Sequence, residues 1–260
     1  MRNQIIEFYN DPDFQRLNSY YNRTTIFNIL NIERRELSHS AFLKWLFDIN
    51  GSHNFGEEPL KKLLRMLVNT DNDNILSEDI LNILLIGDYE IHNFHIETEK
   101  VVESDKNKGR IDIFAKFNIF KENSEKDFKK DIIVIIENKV DSKHHDDQTT
   151  TYKEWAEKKY NESVIIPIYL TPYPENEKNE IANYFIITYQ DVLEHVIEPL
   201  LNMEMDTDTK IILEDYIINL GQAKKQIDDN GKMSNLETIL AVSKKNKKTF
   251  SELLMRYDDL

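Results

Sequence analysis

The sequence predicts an α/β fold, an α/β/α sandwich with helical additions at both ends. Two observations carry this. Segments in the middle of the chain are apolar, β-branched and show the two-residue period of strands, whereas the segments on either side show helical spacing. The order is helices, three strands, a helix, a strand, then helices, which fits one sheet covered by helices.

The first ninety residues read as helical. Thr24 to Ile32 has apolar residues at helical spacing. So does Ser40 to Phe47, with Ser38 or Ser40 available as N-cap. Gly51 and Gly56 bracket a loop. Glu57 to Val68 resumes with Leu60, Leu63, Leu64 and Leu67 on one stripe, and Ser77 to Ile86 is a further short helix.

The period then changes. His95 to Glu103, Arg110 to Phe117 and Asp131 to Glu137 read as three strands. In the second, Ile111, Ile113, Ala115 and Phe117 alternate with Asp112, Phe114 and Lys116. In the third, Ile132 to Ile136 is continuously apolar, as expected of a central strand covered on both faces. Lys121 to Lys130 is polar and reads as an exposed connection. Lys143 to Tyr160 is helical, Ser163 to Leu170 is a buried strand, and Tyr184 to Ile187 a short final one. Thr188 to Leu201, Asp208 to Asp228 and Asn235 to Tyr257 are helices. With no repeat, low-complexity tract or clear linker, residues 1–260 are expected to form one domain. Its core spans about 30–190, with a helical C-terminal extension over about 205–260.

The chain has 260 residues, 40% of them hydrophobic, which suffices for a sizeable core. It has no cysteine, which excludes disulfides, zinc–thiolate sites and cysteine nucleophiles, and fits a reducing, cytoplasmic setting. Charges and a proline interrupt the first dozen residues, unlike a signal peptide. No apolar run approaches the roughly 20 residues of a membrane helix. No Walker-type loop occurs. The net charge of −14 opposes non-specific attraction to nucleic acid, so any polyanionic substrate needs a local basic patch or a bound divalent cation.

Candidate chemistry lies on the second and third strands. Antiparallel pairing about a turn near residues 124 and 125 sets Asp112 opposite Glu137, Phe114 opposite Ile135 and Lys116 opposite Ile133. Opposed side chains share a face, with Cβ atoms about 5 Å apart. Lys139 is two residues from Glu137 and shares that face too. Two carboxylates so close repel, and a hard divalent cation relieves the conflict, since magnesium binds through one or two carboxylates plus phosphate oxygens and water. The carbonyl of Asn138 could add a ligand. Lys139 would orient a metal-activated water or stabilise charge on the phosphorus. Glu-x-Lys alone is usually solvated surface charge; here it follows a buried strand and faces a third ionisable group.

At these residues the sequence resembles the PD-(D/E)XK nuclease superfamily, whose pattern is an aspartate on one strand and Glu/Asp-x-Lys on the next. The two halves here are Gly109-Arg110-Ile111-Asp112-Ile113 and Ile135-Ile136-Glu137-Asn138-Lys139, with Ile111 in place of the proline. Gln148-Thr-Thr-Thr-Tyr152 looks like the Gln-x-x-x-Tyr element of the exonuclease-like branch, whose two side chains lie on one helical face and would touch substrate phosphate. Glu36-Leu-Ser-His39-Ser40-Ala-Phe-Leu-Lys-Trp45-Leu-Phe-Asp48 resembles the Glu-x-x-His-Ser-x-Phe-Leu-x-Trp-Leu-Leu-Asp helix of a prokaryotic subgroup. His53-Asn-Phe-Gly56 resembles its His-Gly-x-Gly loop, with Asn54 where the first glycine is usual.

The resemblance spans roughly residues 30 to 172. It implies a restriction-endonuclease-like sandwich with a mixed central sheet and a metal-dependent nuclease, DNA ahead of RNA as substrate, by analogy in prokaryotic or phage defence. Asp112, Glu137 and Asn138 would hold Mg2+ (Mn2+ substituting) and Lys139 would assist. Glu36 would add an acidic ligand or orient water, and Gln148 and Tyr152 would bind substrate. Fold membership does not guarantee activity. One alternative is a catalytically inactive binding module with a protein partner, or a homo-oligomer, at the helical ends. The other is a phosphodiesterase acting on small nucleotides.

Other residues have simpler readings. Glu99 could join the acidic cluster, but Glu97 and Glu99 are expected to face solvent. His39 is expected under its helix, Trp45 and Trp155 in the core, His144 and His145 in a polar first turn. The basic run Lys244 to Lys248 is expected to be a solvated helix face.

Overall fold

The computed structural model describes residues 2–70, 75–103, 108–122, 127–140, 146–172, 181, 183–221 and 244–257, except the side chains of 2, 146–148 and 244–245. The chain forms two compact units: Arg34–Val196, and Met1–Glu33 with Ile197–Leu260.

The sheet of the first unit has the order β1-β2-β3-β4-β5: β1 Glu90–Glu103, β2 Lys108–Lys121, β3 Phe128–Asn138, β4 Val164–Thr171 and β5 Phe185–Thr188. The first three strands form an antiparallel meander, and β3, β4 and β5 run parallel, so the sheet is mixed. Every residue of β3 from Ile132 to Asn138 is buried, as its continuous apolar run requires for a central strand covered on both faces.

Helices lie on both faces. Helix α7 (Asp146–Lys159) connects β3 to β4 and covers the face bearing Phe114 and Ile135, with the Trp155 and Phe114 ring centroids 6.0 Å apart. Helix α4 (Glu36–Phe47) takes the opposite face. Alternation turns Asn138 away from Glu137, and its side chain meets Ser40 of α4. Helix α5 (Glu58–Val68) buries Leu60, Leu63, Leu64 and Leu67, each at most 1% exposed. Each contributes about 1.5–3 kcal/mol of burial. Helix α6 (Glu78–Ile86) ends on Gly87 at φ 74°, a left-handed C-cap suited to glycine.

Several boundaries differ from expectation. Helix α4 starts at Glu36, with Arg35 at the cap position and no side-chain cap bond, so neither Ser38 nor Ser40 is the N-cap. Glu36 instead puts an acid in the first turn, where the helix dipole favours it. The connection expected over Lys121 to Lys130 is shorter, because backbone pairing continues to Lys121 opposite Phe128. Polar side chains there do not stop the ladder, since their backbones still pair. The first strand begins at Glu90, beyond a register shift between His92 and His95. The helix expected from Thr188 divides into α8 (Tyr189–Val192), capped by Thr188 through a reciprocal capping box with Asp191, a π-helical turn over Leu193–Ile197, and α9 (Glu198–Leu200). Trp45 and Trp155 are half-buried rather than fully interior, and Trp45 Nε1 donates to Ser52 Oγ at 3.0 Å.

In the loop before α5, Asn54 has φ 59°. Asparagine is among the few residues other than glycine that visit the left-handed region routinely, so it can replace the glycine usual at this point. His53 is buried, with Nδ1 accepting the Phe55 N–H.

In the second unit, α1 (Arg2–Asn10) precedes α2 (Pro12–Tyr21), which is capped by Asp11 and meets α11 (Lys244–Arg256), and Arg256 pairs with Asp11 and Asp13 at 3.1 and 2.8 Å. Helices α3 (Ile26–Leu30) and α10 (Thr207–Gly221) join through Phe27 and Tyr216. Residues 222–228 and 235–243, expected to be helical, and His144 and His145 lie outside the described residues. Lys248 is exposed.

Candidate active site

The site forms where β2 and β3 part. The predicted register holds through the described pairs: Phe114 faces Ile135 and Lys116 faces Ile133. The last described pair is Ile113 with Ile136, and one step on the Asp112 side chain takes over the pairing. Its Oδ2 accepts the Asn138 N–H at 2.7 Å. On the same face, Lys139 Nζ is 2.6 Å from Glu137 Oε1, and both residues are under a tenth exposed.

Asp112, Glu137, Lys139 and Tyr152 line one cavity of about 440 Å³ with Glu99, Val101, Lys108, Gly109 and Arg110. Tyr152 is 3% exposed, and its hydroxyl accepts the Arg110 N–H at 3.3 Å. A Cβ on Gly109 would come within 2.4 Å of the Tyr152 ring, so glycine there lets the tyrosine lie against β2.

Glu36 and Asn138 hold the site from the other face. Glu36 Oε1 accepts the Val140 N–H at 3.1 Å. The fully buried Asn138 amide donates to Ser40 Oγ (3.0 Å) and to the Glu36 carbonyl (3.2 Å), and accepts from the Tyr189 hydroxyl (2.5 Å). The Gln148 side chain lies outside the described residues. His39 is buried against Tyr189, ring centroids 5.3 Å apart, as expected.

Electrostatics follow from this crowding. Burial raises Asp112 to about 6, against the lowering effects of the Asn138 N–H and Lys139. Burial and then the Asp112 charge raise Glu137 to about 7. Burial pulls Lys139 down, but Glu137, Asp112 and Glu36 outweigh it and the net shift is upward.

Glu137 Oε2 is buried and makes no hydrogen bond. An orphaned carboxylate oxygen beside a second carboxylate, both resisting ionisation, is the arrangement a hard divalent cation relieves. Among the described residues no three His, Cys, Asp or Glu side chains cluster closely enough to hold a metal alone. Two carboxylates still fit magnesium, which takes its remaining oxygens from water, backbone and phosphate.

Some site residues escaped sequence reasoning. Ser40 looks like a cap in the sequence, yet its hydroxyl accepts from Asn138. Tyr189 gave no signal, since its approach depends on the parallel strands. Glu99, expected in solvent, lines the cavity, and its position opposite Asp112 could have been found by counting register on β1.

A model of the PD-(D/E)XK nuclease superfamily matches residues 24–247. The chain belongs to the PD-(D/E)XK nuclease superfamily, and the mixed five-stranded sheet is consistent with its restriction-endonuclease-like fold. That membership suggests a phosphodiesterase acting on nucleic acid, in a superfamily that generally uses divalent metal ions. No curated protein and no solved structure matches the chain. Among the described residues no helix is long and apolar enough to cross a membrane.

Proposed function

We propose that this protein is a magnesium-dependent nuclease that hydrolyses phosphodiester bonds, DNA in preference to RNA, with manganese able to substitute. The observation that carries the reading is the buried, unpartnered Oε2 of Glu137, a residue that lines one cavity with Asp112 and Lys139. Asp112, Glu137 and the Asn138 carbonyl would hold the ion. When bound, it supplies Lewis acidity at the phosphoryl oxygen and lowers the pKa of water.

The chain's own groups do the rest. Lys139 places a positive charge beside the carboxylates, where it can orient the attacking water or stabilise charge on the phosphorus. Hydrolysis forms a bond from water oxygen to phosphorus and breaks the bond to the leaving ester oxygen, which gains a proton as the water loses one. Glu36 holds the Val140 N–H and fixes the end of β3. Tyr152 and Gln148 position the phosphate.

The absence of cysteine supports a reducing, cytoplasmic setting. A part in prokaryotic or phage defence rests on analogy with the superfamily. The net charge of −14 favours a second reading, an inactive fold that binds a protein partner. Calorimetry separates the two, since a retired site binds no divalent cation.

The test is cleavage of single-stranded DNA, duplex DNA and RNA with magnesium or manganese by wild type, Glu137→Ala and Lys139→Ala. Metal-dependent cleavage confined to wild type is expected. Equal activity in all three proteins would reject the assignment.

A further inference from the structure

We propose that Arg110 is a substrate-phosphate contact of this cleft and that Glu99 is the residue that positions it, an inference that rests on the nuclease reading.

Register places both residues. Thr98 faces Ile113 and Lys100 faces Ile111, so Glu99 lies across from Asp112. Asp112 in turn lies one step beyond the pair Ile113 and Ile136, across from Glu137. Three carboxylates from three adjacent strands therefore form a row. Two residues outward, Val101 faces Arg110, and the same count brings Lys139 beside Arg110. A basic row of Arg110 and Lys139 thus flanks an acidic row, and both line the same cavity. The rows lie two residues apart along their strands, about 6.5–7 Å, a distance the long side chains of Arg110 and Lys139 span to reach a phosphodiester lying over the acidic row.

The backbone of Glu99 is unusual. Its φ is 56°, a left-handed conformation in the middle of a strand whose register is unbroken on either side. A residue other than glycine keeps such a conformation only where its surroundings impose it. Here the Glu99 carboxylate binds the Arg110 guanidinium at 2.9 Å. Two consequences follow. Glu99 is committed to an arginine rather than to a cation shared with Asp112 and Glu137. Arg110 is held away from Asp112, two residues along its own strand, where an ion pair would compete with metal.

The cations of the cavity are not equivalent. Lys139 is buried and bonded to Glu137, and Lys108 is paired with Glu103 at 2.5 Å. The side chains of Arg110 and Lys108 are 66% and 79% exposed, so both reach solvent and it is the chemistry of the guanidinium that separates them. Its planar fork of five N–H donors matches phosphate bidentately and has donors left after Glu99 is served. In a chain of net charge −14, a local cation of this kind is what a polyanionic strand requires at the mouth of the site.

The test is binding of a fluorescein-labelled DNA oligonucleotide, by anisotropy in calcium across a salt series, to wild type, Arg110→Ala, Arg110→Lys, Glu99→Gln and the double variant Glu99→Gln/Arg110→Ala. Arg110→Ala should weaken binding about tenfold or more and lower the salt slope by about one, with little change in Tm. Arg110→Lys should keep the slope and lose part of the affinity. Glu99→Gln should weaken binding less than Arg110→Ala and lower manganese affinity by no more than about threefold, the effect of one charge removed near Asp112, and the double variant should match Arg110→Ala. Wild-type affinity and slope in Arg110→Ala overturn the proposal, as does a wild-type protein that binds no nucleic acid. A fall in manganese affinity of about tenfold or more in Glu99→Gln, the size of losing a direct ligand, overturns the positioning role. A wild type that cleaves nothing defeats the nuclease reading separately, whereas cleavage with unaltered binding by Arg110→Ala defeats this inference alone.

Discussion

The Asn138 N–H donates to Asp112 Oδ2 at 2.7 Å, so the carboxylate of one strand closes the end of the next. That bond replaces a ladder bond and holds Asp112 against Glu137. Both acids are raised, Asp112 to about 6 and Glu137 to about 7, with burial the leading cause.

The pH dependence follows in sign. Both folded pKa values exceed the ordinary values of 3.8 and 4.5, so the folded state binds more protons than the unfolded between about pH 4 and 7. This pair's contribution to stability is fully present below pH 4 and lost as pH rises through 7. A divalent cation needs the ionised forms, so it should raise Tm more at pH 8 than at pH 5.5 and release protons on binding. Thermal melts with and without magnesium at both pH values check this; equal shifts would contradict it.

Lys139→Ala should lower kcat about 10²–10³-fold, the size expected on removing one charge-stabilising group. It should also raise Glu137 further, since Lys139 lowers that carboxyl. Steady-state kinetics across pH read both effects.

Asn138→Ala strands the Ser40 and Tyr189 hydroxyls in the interior, whereas the Glu36 carbonyl keeps its helical bond. At about 1–3 kcal/mol per unsatisfied group, a loss of about 2 kcal/mol or more is expected in urea unfolding. Tyr189→Phe removes one donor only and should cost about 1 kcal/mol. Manganese affinity should fall about 10–100-fold in Asn138→Ala, because the residue orients the strand end between two site side chains.

Gly109→Ala places a methyl group 2.4 Å from the Tyr152 ring. Overpacking of this kind costs about 1–3 kcal/mol, and the displaced ring should perturb the cavity, visible as lowered Tm together with raised KM. Tyr152→Phe keeps the packing and loses the acceptor for the Arg110 N–H, so about 1 kcal/mol is expected by denaturant titration.

The sequence alone determined the strands, the pairing of β2 with β3, and hence the face shared by Asp112 and Glu137. Those follow from local periodicity and one short hairpin, and a slip by one residue would have put Asp112 and Glu137 on opposite faces. Only the tertiary structure decided what surrounds them. Tyr189 reaches Asn138, and Glu36 reaches Val140, across sequence separations of 51 and 104, and no local pattern encodes such contacts. Register alone puts Glu99 across from Asp112, but its pairing with Arg110 in the cavity lining depends on how the two strands meet there. Periodicity reports which side of a strand a residue takes, whereas burial, charge and partner depend on what the rest of the fold brings to that side.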